Sequence, residues 1–90
     1  MDNQKYTSIA AFLIVRPGVA AIEYMPSATI HDVLSDALQL AQSKSIIVTF
    51  QWSRWGTPIQ VTVMRHSIFK TIYDRMLDAA NGAHEPYVGP

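Results

Sequence analysis

Cysteine is absent from the 90 residues. Disulfide frameworks, thiolate zinc sites and thiol nucleophiles are therefore excluded. Charge is sparse. Asp, Glu, Lys and Arg make up 16% of the chain, and seven basic residues balance seven acidic ones. A zero sum argues against a strongly basic nucleic-acid packer or an acidic tail, while local patches survive it. Long apolar runs are missing too. The longest, Ile9 to Val15, is far short of the ~20 residues that span a bilayer. The opening Met-Asp-Asn-Gln-Lys lacks the basic-then-apolar plan of a signal peptide. A soluble, cytoplasmic protein is the expectation.

What is present suffices for one small core. Apolar residues reach 49%, enough to rule out compositional disorder. Residues 1–82 read as a single compact domain. Residues 83–90, with two prolines, a glycine and no periodic pattern, read as a flexible tail.

Tyr6 to Val15 is apolar at both alternating positions after Ser8. That fits a strand covered on both faces or a short buried helix. Arg16-Pro17-Gly18 decides for strand and turn. Proline presets φ at the second turn position, and glycine takes the positive φ of the third. Val19 to Met25 is the returning strand. Thr29 is the expected N-cap of a first helix, with Asp32 completing an approximate capping box. Ile30, Val33, Leu34, Ala37, Leu38 and Ala41 then repeat at helical spacing on one face.

Ile46, Val48, Phe50 and Trp52 alternate with Ile47, Thr49 and Gln51. After a loop, Ile59, Val61 and Val63 alternate with Gln60, Thr62 and Met64. This predicts an antiparallel hairpin with one buried and one mostly polar face. Ser67 is the expected cap of a second helix, whose apolar side runs through Ile68, Phe69, Ile72, Tyr73, Met76 and Ala80. Asn81-Gly82 stops it. The predicted order is β-β-α-β-β-α, an α+β two-layer sandwich with two helices on one face of an antiparallel sheet. The halves align at an offset that sets Ile9, Phe12, Arg16 and Gly18 on Ile47, Phe50, Arg54 and Gly56. Either an internal repeat or two similar units explains this. Ile22 against Gln60 breaks the pattern.

Charge is balanced in sum but not in position. Between Lys44 and Tyr73 lie Lys44, Arg54, Arg65 and Lys70, with no acid. Inside that segment stands Trp52-Ser53-Arg54-Trp55-Gly56. An arginine between two tryptophans at a hairpin tip has several uses. It can stack on an indole within its own chain. It can anchor a protein contact, since Trp and Arg dominate such contacts. It can present a stacking platform and a phosphate contact to nucleic acid. Alternatively, the two indoles simply close the end of the core.

Other constellations are weaker. His31, His66 and His84 are far apart, and none has metal-ligand spacing. No Gly-x-Ser-x-Gly elbow or phosphate-binding glycine loop is present. Asp32 and Asp36 lie one helical turn apart and suit either an acid–base pair or a solvated face.

No catalytic, metal or cofactor site is expected. The leading expectation is a non-enzymatic protein-binding module of inhibitor or adaptor type. Its partner-binding residues would be Trp52, Arg54 and Trp55, with Arg65 and Gln51 beside them. A homodimer through the sheet face or an edge strand is compatible with it. The rival is a nucleic-acid binder using the basic 44–73 segment.

Overall fold

The computed structural model describes residues 6–82 and 86–90. Its elements are β1 (Ile9–Arg16), β2 (Val19–Tyr24), α1 (Ile30–Lys44), β3 (Ile47–Trp52), β4 (Ile59–Val63), α2 (Phe69–Ala80) and β5 (Tyr87–Val88). One five-stranded sheet runs in sequence order, β1-β2-β3-β4-β5. The α+β class is as the pattern predicts, but the sheet is mixed. β1–β2 and β3–β4 are antiparallel hairpins, whereas β2–β3 and β4–β5 are parallel. The reason is connectivity: each helix carries the chain back to the starting end of the strand it follows, so the next strand runs alongside in the same direction.

β5 lies in the segment expected to be a flexible tail. Val88 is buried and pairs with Val61. The Gln60 N–H donates to the Pro86 carbonyl at 2.9 Å, which fixes the approach of this short strand. Two residues bounded by Pro86 and Gly89 carry no periodicity to detect, so β5 escapes pattern reading. Residues 83–85, the start of the expected tail, lie outside the described residues.

The core lies between the helices and one face of the sheet. Val48, Phe50 and Trp52 of β3 meet Ile59, Val61 and Val63 of β4 under Val33, Leu34, Ala37, Leu38, Ile72 and Met76. Each such burial contributes roughly 1.5–3 kcal/mol against leaving the side chain in water. α1 lies over β3 and β4, and α2 over β4 and β5. Thr29 caps α1 as expected, its hydroxyl accepting from the Asp32 N–H at 3.2 Å. Ser45 ends the helix in the left-handed conformation.

The start of α2 differs from the sequence reading. Its N-cap is Ile68, with no side-chain cap hydrogen bond. The Ser67 hydroxyl instead accepts from the Met64 N–H at 3.0 Å and so tightens the loop leaving β4. Ile68 consequently points to solvent at 65% exposure rather than into the core.

β1 departs furthest from expectation. It is a strand, as the Pro17-Gly18 turn implies, and Gly18 takes φ +78°. It is not covered on both faces. It is the outermost strand, and every residue from Ala10 to Arg16 is exposed. The helices shelter the other strands and leave this one overhanging.

Candidate functional site

The Trp-Arg tip forms a compact cluster turned largely toward its own chain. Trp52 continues the inward face of β3 and is 2% exposed. Its ring centroid lies 5.0 Å from Tyr24 and 6.0 Å from Trp55. Trp55, half-buried, meets Trp52 and Tyr73 edge-on. The Arg54 guanidinium lies over Tyr24 and Trp52, 4.9 and 5.1 Å from the ring centres. It donates to the carbonyls of Met25 (3.0 Å), Pro26 (2.6 Å) and Ala28. Those three oxygens belong to the loop between β2 and α1. Arg54 thus fastens that loop to the β3–β4 tip. The buried Trp52 Nε1 has no hydrogen-bond partner among the described residues.

The five residues expected to bind a partner do not share one surface. Trp52, Arg54 and Trp55 come together. Gln51 projects from the opposite face of β3, across from Gln60. Arg65 follows β4 at the other end of the hairpin, where its Nε donates to His66 Nε2 at 3.3 Å. The basic segment is likewise divided. Arg54 is spent on carbonyls, and Lys70 pairs with Asp74 at 2.9 Å. Arg65 and His66 border an open hollow of about 400 Å³ with Pro17, Gly18, Ser45 and Met64. Arg16 and Lys44 each adjoin a rim residue in sequence, Pro17 and Ser45, while the Lys44 side chain lines a separate groove.

On the open sheet face Thr49, Gln60 and Thr62 bond to one another. Thr49 Oγ1 donates to the Val61 carbonyl at 3.1 Å and accepts from Gln60 Nε2 at 2.5 Å and Thr62 Oγ1 at 3.3 Å. Asp36 has a structural task. Its carboxylate accepts the Ser8 N–H at 3.2 Å and the Ser8 hydroxyl. That anchors the chain just before β1 to α1. His31 stacks near Phe69 and Tyr73, with ring centroids 5.6 and 5.1 Å away. His84 lies outside the described residues. Among those residues no three His, Cys, Asp or Glu side chains gather as a metal site. No helix in them is long and apolar enough to cross a membrane.

Among the described residues the longest consecutive run of exposed large apolar side chains lies on β1. Phe12, Leu13, Ile14 and Val15 are 43%, 65%, 50% and 51% exposed. Register sets Phe12 and Ile14 beside the buried Ile22 and Ala20, on the helix side. Leu13 lies beside Ala21 on the open side. Both faces of the overhang are therefore apolar, and among the described residues the strand has a neighbour on one edge alone. Beneath its helix side, Tyr6, Ile9, Phe12, Leu40 and Lys44 enclose a shallow groove of about 240 Å³. Sequence pattern does flag this strand, through the uninterrupted Ile9–Val15 run. Alternation cannot say whether such a run is covered by the chain itself or left for another surface.

The two edges of the sheet contrast sharply. β5 is two residues long and ends at Gly89-Pro90, which blunts it against further pairing. β1 is eight residues long and holds no proline, with no charge before Arg16. The chain matches no known family model, no curated protein and no solved structure.

Proposed function

We propose that this chain is a small non-enzymatic protein-binding module, of inhibitor or adaptor type, whose contact surface is β1. The observation that supports the reading is the exposed apolar edge strand. Natural sheets protect their edges with charge, proline, shortness or a covering element, because free edge N–H and C=O groups recruit further strands. β5 is protected in this way and β1 is left open. Its backbone can add a strand from a partner, and its side chains supply apolar area on both faces of the continued sheet. The Trp-Arg cluster then serves to hold the scaffold, with the half-buried Trp55 as its outward element.

The test is co-expression of tagged and untagged chain in the host, followed by capture with and without nuclease. Whatever accompanies wild type and is lost with Leu13→Lys, yet kept with Trp55→Ala, is the β1 partner. Material lost with Trp55→Ala and kept with Leu13→Lys would move the contact to the hairpin tip and sink this reading.

One observation favours a second reading. Arg65 and His66 border one hollow, with Arg16 and Lys44 next in sequence to its rim residues Pro17 and Ser45, which suits a phosphate backbone. Nucleic acid binding there releases few counterions, so its affinity would fall with salt at a log–log slope of about −3. Captured material that disappears with nuclease supports that reading over the first.

A further inference from the structure

We infer that the partner of β1 is a second copy of this chain, added antiparallel so that two five-stranded sheets join into one. This rests on the reading of β1 as a contact surface and names its occupant.

Three features of the strand point to a copy of itself. The first is shape. A two-fold axis normal to the sheet keeps both helix layers on the same side and pairs helix-side residues with helix-side residues. Centred on Leu13, it sets Phe12 opposite Ile14 of the second copy, and Leu13 opposite its own equivalent. The contact is isologous and closes at two chains. The join leaves no long edge, since the outer strands are then the two blunted β5 strands.

The second is charge. Register places Arg16 beside Val19 and Glu23 beside Ala11, both on the open face, at opposite ends of the β1–β2 hairpin. Neither has an ion-pair partner among the described residues. An antiparallel neighbour reverses the ends. Arg16 then stands opposite Ala10 of the second copy, two strand spacings, about 9.6 Å, from the strand that bears its Glu23, a span that the two long side chains bridge over the small Ala10 and Ala11. The two-fold makes that pairing twice. A parallel neighbour would bring Arg16 to Arg16 and gain nothing.

The third is area. At the stated exposures, and about 200 Å² for a large side chain, Phe12 to Val15 offer on the order of 400 Å². A contact of standard size takes about 800 Å² from each partner. The edge backbone, Ala10, Ala11 and the stems of Arg16 and Lys44 surround the four side chains and supply the remainder. A single bound peptide strand would cover the edge and leave most of the overhanging faces wet.

Sedimentation of the purified chain across a concentration series tests this. Wild type should sediment at twice the 10.1 kDa chain mass. Leu13→Lys should sediment as one chain with an unchanged circular dichroism spectrum, since two lysines would face each other at the axis. Arg16→Glu and Glu23→Arg should each weaken association about tenfold, and the double exchange should restore it. Because the chain has no cysteine, Leu13→Cys with a mild oxidant should give a disulfide-linked dimer. Antiparallel Cα spacings of about 4.5–5.5 Å suit that bond. A wild-type monomer at all concentrations would overturn the inference. So would a dimer indifferent to Leu13→Lys, or a charge exchange that fails to rescue. Should the pure chain be monomeric while a host protein is still lost with Leu13→Lys, the second-copy inference falls and the module reading stands.

Discussion

Arg54 reaches across the chain to Pro26 and donates to its carbonyl at 2.6 Å. The Met25 and Ala28 carbonyls receive the same guanidinium. A planar fork with several N–H donors suits three oxygens that converge from one loop, and the ammonium of lysine does not. The loop it holds delivers Thr29, the cap of α1. Arg54 is thereby tied to the placement of the first helix as well as to the hairpin tip.

Replacing Arg54 should therefore show in stability. Arg54→Ala removes the three hydrogen bonds and the stacking on Tyr24 and Trp52, and should cost about 2 kcal/mol. Arg54→Lys should recover less than half of that. Urea denaturation followed by tryptophan fluorescence reads both, because Trp52 and Trp55 lie against the lesion. An Arg54→Ala protein as stable as wild type would refute the clasp.

Trp52 carries a second, subtler expectation. Its indole N–H is buried without a partner among the described residues, and such a donor costs about 1–3 kcal/mol. Trp52→Phe removes that donor along with some packing, so the terms oppose and the net change should stay below about 1.5 kcal/mol. Trp52→Ala removes the donor too but empties the whole ring site, so the cavity dominates and the change should cost about 3–5 kcal/mol. A Trp52→Phe loss well above about 1.5 kcal/mol in the same urea titration would show that the unpaired donor carries no compensating cost.

The parts of the fold that pattern reveals are those set by local chemistry. Thr29, Asp32 and the Val33–Ala41 spacing specify α1 because capping and periodicity act within a few residues. Pro17-Gly18 specifies the β1–β2 turn for the same reason. Ser67 misleads, since a serine before an apolar run can cap a helix or brace the loop ahead of it, and only the loop geometry chooses. The repeat signal is partly mirrored in space: each half is a hairpin followed by a helix. Ile22 corresponds in burial to Val61 rather than to Gln60, one residue earlier, which removes the mismatch in the aligned halves. Strand direction and strand order are non-local and leave no mark on alternation. The two candidate surfaces follow the same logic. Trp52 and Arg54 have the composition of a binding site, but tertiary packing turns them to their own chain. The β1 run has the composition of a core strand, and its place at the sheet edge turns it outward.

Ser8 and Asp36 join the chain before β1 to α1. Ser8→Ala deletes a hydroxyl that is 5% exposed and lies on the carboxylate and near the Asp32 carbonyl. The cost should be about 1–2 kcal/mol. The backbone N–H of Ser8 keeps its own bond to Asp36, so β1 should remain paired to β2. Amide exchange measured by NMR should quicken at Ser8 and Ile9 and hold steady from Phe12 to Ile14. Faster exchange along all of β1 would mean that this anchor, rather than the hairpin register, holds the strand.

β5 makes the sharpest claim about residues that carry no sequence pattern. Val88 is 3% exposed and sits among the core side chains beside Val61. Val88→Asp places a carboxylate there without a partner, a change that should cost more than about 3 kcal/mol. Deleting residues 86–90 removes the same side chain and also bares the β4 edge, with its run Ile59 to Val63. The truncated chain should lose stability by about 2–4 kcal/mol and aggregate on concentration, because the protected edge becomes an open one. Val88→Ala separates the two effects. It keeps the backbone pairing and gives up only the two methyl groups, so it should cost about 1–2.5 kcal/mol and leave solubility intact. Thermal unfolding and light scattering on the three variants distinguish them. A deletion variant with wild-type melting temperature and solubility would show that residues 86–90 do not belong to the sheet in solution.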